Sequence, residues 1–107
     1  MSCCTVPRVH VGDVGTKLRL VLVDQQGAVI NISSASTKEI RVARPDGSTF
    51  DRAASFVTDG TDGAMEILSE AGDFTESSPN YKMQGHVIQS GLDIRTDVET
   101  FEVEANL

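Results

Sequence analysis

The chain has 107 residues, sixteen acidic against nine basic, for a formal net charge of -7. That balance repels phosphate backbones, so non-specific nucleic-acid binding is excluded, and a soluble protein or one docking on a basic partner is expected. Hydrophobic content is 39% with no tryptophan, so the core has to be built from Val, Ile, Leu and Ala with four phenylalanines and one tyrosine.

No apolar run approaches the roughly 20 residues that cross a bilayer as a helix, so no membrane partner is expected. The start, MSCCTVPRVHVGD, has neither the basic leader nor the apolar stretch of a secretory signal, which predicts that the chain stays where it is made. Residues 1–11 read as an arm, and residues 12–107 as one domain. Pro7 stops helix formation, and Arg8-Val9-His10-Val11 alternates like a short edge strand. These four are the predicted partner-binding residues, through strand addition or simple docking. Cys3 and Cys4 are adjacent, a spacing that pairs only in a strained geometry, and two thiols fall short of the four ligands of a structural zinc. They are read as free thiols.

Gly12-Asp13-Val14-Gly15 is a turn. Residues 16–29 follow, TKLRLVLVDQQGAV, with Leu18, Leu20 and Leu22 alternating so that they form one apolar row on an extended strand. This is the predicted core strand and the start of a hairpin through Asp24-Gln25-Gln26-Gly27. Asn31 to Ser36 is a polar connection. Ile40 and Val42 then mark a strand with Glu39 and Arg41 on its wet side, and Pro45-Asp46-Gly47-Ser48 turns it back into Thr49-Phe50-Asp51-Arg52-Ala53. A second hairpin turns at Asp59-Gly60-Thr61-Asp62-Gly63. Residues 69–79 are polar and read as a loop or one helical turn with Phe74 tucked inward, too short between Gly72 and Pro79 for a long helix. Tyr81, Met83 and Val87 share one face of the next strand, and Phe101 and Val103 face inward from the last.

Seven or eight short strands separated by turns predict an all-β fold, an immunoglobulin-like antiparallel β-sandwich, with a small barrel as the competing architecture. For chemistry, Asp59 and Asp62 resemble part of a calcium loop, but the further ligands are missing and an Asp-Gly turn uses the same residues. His10 and His86 stand apart from any recognisable nucleophile, so no catalytic residue is assigned and no enzyme is expected. The glycines are scattered singly among turns rather than forming a phosphate cradle, and no cofactor or metal is assigned.

The order of motifs, Gly12-Asp13-Val14-Gly15-Thr16, the leucine strand, Arg41-Val42-Ala43-Arg44-Pro45-Asp46-Gly47-Ser48, Thr58-Asp59-Gly60-Thr61-Asp62-Gly63 and Phe101-Glu102-Val103, resembles the amino-terminal domain of phage baseplate upper proteins and related small immunoglobulin-like virion proteins. The resemblance covers nearly the whole chain from Gly12. It implies a non-enzymatic structural module in the tail, baseplate or neck of a virion, made in the host cytoplasm, with other virion proteins as partners and homo-oligomers in the assembled particle. The competing readings are a capsid decoration subunit and a calcium- or carbohydrate-binding sandwich with Asp59 and Asp62 as contacts.

Overall fold

The computed structural model describes residues 9–106 and the backbone of Ser2 and Cys3; these carry ten strands and no helix. The leucine row forms strand β3 (Lys17–Leu22), with Leu18, Leu20 and Leu22 all buried. Against it, antiparallel, lies β7 (Ala64–Leu68), Leu20 opposite Met65. The two-residue strands β1 (Ser2–Cys3) and β6 (Ser55–Phe56) complete this sheet in the order β1-β3-β7-β6.

The second sheet is built around β8 (Ser78–Gln89), the longest strand, flanked on one side by β4 (Thr37–Ala43) and beyond it β5 (Thr49–Ala53). On its other flank β8 pairs first with β10 (Glu99–Glu104) and then with β9 (Leu92–Arg95). Strand β2 (Val9–His10) lies outside β10. Val9, Ile40, Val42, Tyr81, Met83, Val87, Phe101 and Val103 point from this sheet into the core that β3 and β7 close from the other side. The layers meet closely at Gly85, where an added Cβ would stand 2.5 Å from Met65 Cε and 3.0 Å from Leu20 Cδ1. At the other end of the core, Phe74, Tyr81 and Phe101 pack together, with ring centroids 5.7 to 6.1 Å apart.

The all-β class, the inward rows and the two separate layers, rather than the competing closed barrel, follow the sequence reading, with two corrections. The pairing is not wholly antiparallel, because β2 runs parallel to β10, with Val9 opposite Val103. No hairpin joins these two strands, which come from opposite ends of the described chain, so nothing local imposes an antiparallel direction. The described residues carry ten strands rather than seven or eight, because three have two residues each and the strand returning from β8 is split into β9 and β10 at Thr96-Asp97-Val98. Thr96 spans that break: its N–H donates to the Gly85 carbonyl at 3.0 Å, and its hydroxyl accepts the Gly85 N–H at 2.8 Å.

The hairpin expected after the leucine strand is reduced to one bridge, Val23 to Val29. The Asp24 carboxylate accepts the N–H groups of Gln26 and Ala28 and closes the turn, after which the polar run from Asn31 leaves the sheet. Residues 69–77 form a loop with Phe74 buried, while Ser78 and Pro79, expected in that connection, already belong to β8. Asp73, itself almost fully buried, holds that loop to β5: Arg52 donates to both its carboxylate oxygens, at 2.6 and 3.1 Å, while the Glu70 N–H donates to Oδ2 at 2.7 Å.

Candidate functional site: the outer face and free edge of the larger sheet

Because Ile40, Val42, Met83 and Val87 point inward, strict alternation turns Glu39, Arg41, Gln84 and His86 outward. Register then places them side by side: Glu39 opposite His86, Arg41 between Gln84 and Asp51, and His86 opposite Arg95. Together with Gly85 they line a shallow hollow of about 130 Å³. A neighbouring, more apolar hollow shares Arg41 and Gln84 and adds Ala43, Lys82, Met83 and Val98, whose side chain is more than half exposed.

The charges in the first hollow are locked in pairs. Arg41 grips Asp51 with two parallel bonds, Nε to Oδ1 at 2.6 Å and Nη2 to Oδ2 at 3.0 Å. That grip, opposed by burial, holds the Asp51 carboxyl below its ordinary range. His86 meets Glu39 Oε1 through Nδ1 at 3.1 Å and Asp93 Oδ1 through Nε2 at 2.5 Å. The bond to Glu39 is the largest influence on the imidazole; burial works against it, Asp93 adds to it, and the net effect raises the His86 pKa. The lining has no hydroxyl or thiol to act as a nucleophile, and both ring nitrogens of its histidine are already engaged by carboxylates. Such a surface presents paired charges of both signs that can match charges on a partner.

Next to this face lies the edge of the sheet. Ala54 N–H donates to the Lys38 carbonyl at 2.9 Å and Arg44 N–H to the Ser48 carbonyl at 2.8 Å, which fixes the hydrogen-bonding phase of the β4–β5 ladder. In antiparallel pairs bonded and non-bonded positions alternate, so Phe50 and Arg52 bond to β4 while the N–H and C=O groups of Thr49, Asp51 and Ala53 point away from it. No described strand pairs with β5 on that side. All three residues are exposed. On the inward-tilted side of the same strand, Phe50 lies between the guanidinium groups of Arg44 and Arg52, 4.8 and 4.9 Å from its ring centre, which stiffens the edge.

The residues singled out from sequence are dispersed. Arg8 lies outside the described residues. Val9 is fully buried, committed to the core opposite Val103. His10 faces Glu104, Nε2 to Oε2 at 3.2 Å, and Val11 donates its N–H to the Glu104 carbonyl at 3.0 Å. The stretch 9–11 is therefore a margin of the sheet, and His10 shares no hollow with His86. Cys4 is outside the described residues, and for Cys3 only the backbone is described. Asp59 and Asp62 cap their own turn: Asp59 Oδ1 accepts from the Thr61 N–H and hydroxyl, and Asp62 from the Ala64 N–H and the Thr58 hydroxyl. Among the described residues no three His, Cys, Asp or Glu side chains converge as a metal-binding set.

Sequence reasoning missed the Arg41–Asp51 pair and the free edge. Both were within reach: Arg44-Pro45-Asp46-Gly47 closes through the Gly47 N–H to the Arg44 carbonyl, with Gly47 at φ 92°, and counting outward from that turn sets Arg41 against Asp51. Comparison with protein-family models, with curated proteins and with solved structures finds no match.

Proposed function

We propose that this chain is a non-enzymatic, immunoglobulin-like attachment module that binds another protein by accepting a strand on the β5 edge. Its setting is the one its motif order implies, the tail, baseplate or neck of a phage virion, with other virion proteins as partners. The immunoglobulin-like reading is supported by two features. The first strand of the chain is divided between the layers, β1 beside β3 and β2 parallel to β10. Tyr81, near the start of β8, is fully buried and donates its hydroxyl to the Glu76 carbonyl at 2.9 Å, the arrangement of a tyrosine corner.

The single observation that carries the attachment reading is the row of outward N–H and C=O groups at Thr49, Asp51 and Ala53. An unpaired edge is a template for another chain, main-chain bonds supplying affinity and the alternate side chains supplying specificity.

The test of the setting is immunogold microscopy, with antibody against the purified chain, of phage particles released by the host that carries this sequence. Label at the tail, baseplate or neck is the expected result. Label over the capsid shell would favour a decoration subunit instead. Particles devoid of the chain by mass spectrometry would overturn the virion reading.

A further inference from the structure

The contacts of His86 carry a consequence that does not depend on what the protein binds. Ionised carboxylates only accept hydrogen bonds, and a neutral imidazole has a single N–H to donate. Here each ring nitrogen faces a carboxylate oxygen, Glu39 on β4 at 3.1 Å and Asp93 on β9 at 2.5 Å. Both contacts are satisfied together only by the doubly protonated imidazolium. The ring sits on β8, between the two strands whose side chains it joins, so its proton count determines whether β9 is tied across the sheet face to β4.

We propose that His86 is a pH-operated clasp: as an imidazolium it fastens the β9 return strand to β8 and β4, and on losing a proton it keeps Glu39 and lets Asp93 go. The choice of which contact opens follows from exposure. The Asp93 side chain is 57% exposed and can exchange the ring for water, with Arg95 Nη1 3.6 Å away as a second partner, whereas Glu39 is 35% exposed. The remaining proton therefore stays on Nδ1, facing Glu39. The other charges lining the same hollow are Arg41 on β4, Asp51 on β5 and Arg95 on β9, with Lys82 on β8 in the neighbouring hollow; Arg41 and Asp51 are committed to each other, and Arg95 opposes the cation. The net upward displacement of the His86 pKa agrees with the geometry.

The direction of the pH effect follows. A group whose pKa is raised on folding contributes all of its stabilisation below the unfolded value, about 6.5 for histidine, and loses it as the pH rises through the higher folded value. The strand that loosens is β9, which has β8 as its only described strand neighbour.

The test uses the full chain with His10→Asn, so that one imidazole remains. Nitrogen and proton spectra followed from pH 5 to 9 are expected to show a midpoint above about 6.5 and a neutral form protonated at Nδ1. In parallel, amide exchange in β9, expressed relative to β10 so that the intrinsic pH dependence cancels, should rise several-fold across that same midpoint. Asp93→Ala should lower the midpoint and abolish the relative rise. A midpoint at or below the ordinary value, a neutral form protonated at Nε2, or a β9-to-β10 exchange ratio that stays flat through the titration would each overturn the clasp.

Discussion

Strands β8 and β5 belong to one sheet and are separated only by β4, yet they are built for opposite ends. Strand β8 has a neighbour on each flank, β4 on one and β10 then β9 on the other, and it alternates buried and outward residues along most of its length. Strand β5 has a neighbour on one flank and no fully buried residue, its pattern being exposed, half-buried, exposed, half-buried, exposed. The first arrangement spends its backbone and its apolar faces inside the molecule; the second leaves backbone groups free. Stability should therefore be concentrated at β8 and binding capacity at β5, and substitutions in the two should separate these properties.

The largest loss of stability is expected at Tyr81, the first buried residue of β8. Tyr81→Ala empties a site packed on Phe74 and Phe101 and leaves the Glu76 carbonyl without its donor, at a cost of about 3–5 kcal/mol. Denaturant unfolding measures it directly, and a loss below about 1 kcal/mol would mean that the aromatic cluster is not part of the core that holds β8. Gly85→Ala comes next. Its methyl would press on Met65, Leu20 and Thr96, at a cost of about 1–3 kcal/mol, visible as a lower thermal midpoint.

Arg52→Met tests the loop beside β5 and should cost about 1–3 kcal/mol, because it leaves the almost buried Asp73 carboxylate without the guanidinium that bonds both its oxygens. The Asp73 pKa has a pH signature as well. Burial pushes it up, but the bonds from Arg52 and the Glu70 N–H prevail and hold it below its ordinary value. Its contribution is present above the unfolded carboxylate value, about 3.9, and is lost as the pH falls through the lower folded value. The acid limb of the stability profile should flatten in Arg52→Met, and an unchanged limb would remove Asp73 as its source.

The smallest effect on stability is expected at the edge itself. Ala53→Pro removes an N–H that points away from β4 and leaves the ladder bonds of Phe50 and Arg52 in place, so unfolding should change by less than about 1 kcal/mol. The same substitution should reduce incorporation into particles at least tenfold, since it deletes a main-chain donor from the row offered to a partner. Incorporation at the unsubstituted level would move attachment away from β5.

Much of this contrast was legible in the sequence, and the illegible part has a physical reason. Period-two patterning located the inward rows of β3, β4, β8 and β10, because a strand with one wet face records its orientation in every second residue. Turn chemistry located Gly47 and the capped loop at Asp59. Patterning is blind to which strand lies beside which when no hairpin joins them, and so the parallel β2–β10 pair and the tie from Arg52 to Asp73 were out of reach. The clasp at His86 was equally hidden, since Glu39 and His86 are 47 positions apart and only the β4–β8 register brings them face to face. Val9 shows the opposite failure. Its alternation was read correctly as a strand, but two or three residues of pattern do not say whether such a strand reaches outward or folds back to lie buried opposite Val103.

The most direct measurement is amide exchange at Thr49, Asp51 and Ala53 in the isolated chain and in the chain bound within the particle. In isolation these three amides should exchange rapidly while those of Phe50 and Arg52 are protected, and on assembly the three should gain protection of at least tenfold. If the three exchange equally fast before and after assembly, the edge of β5 is not where this protein holds its partner.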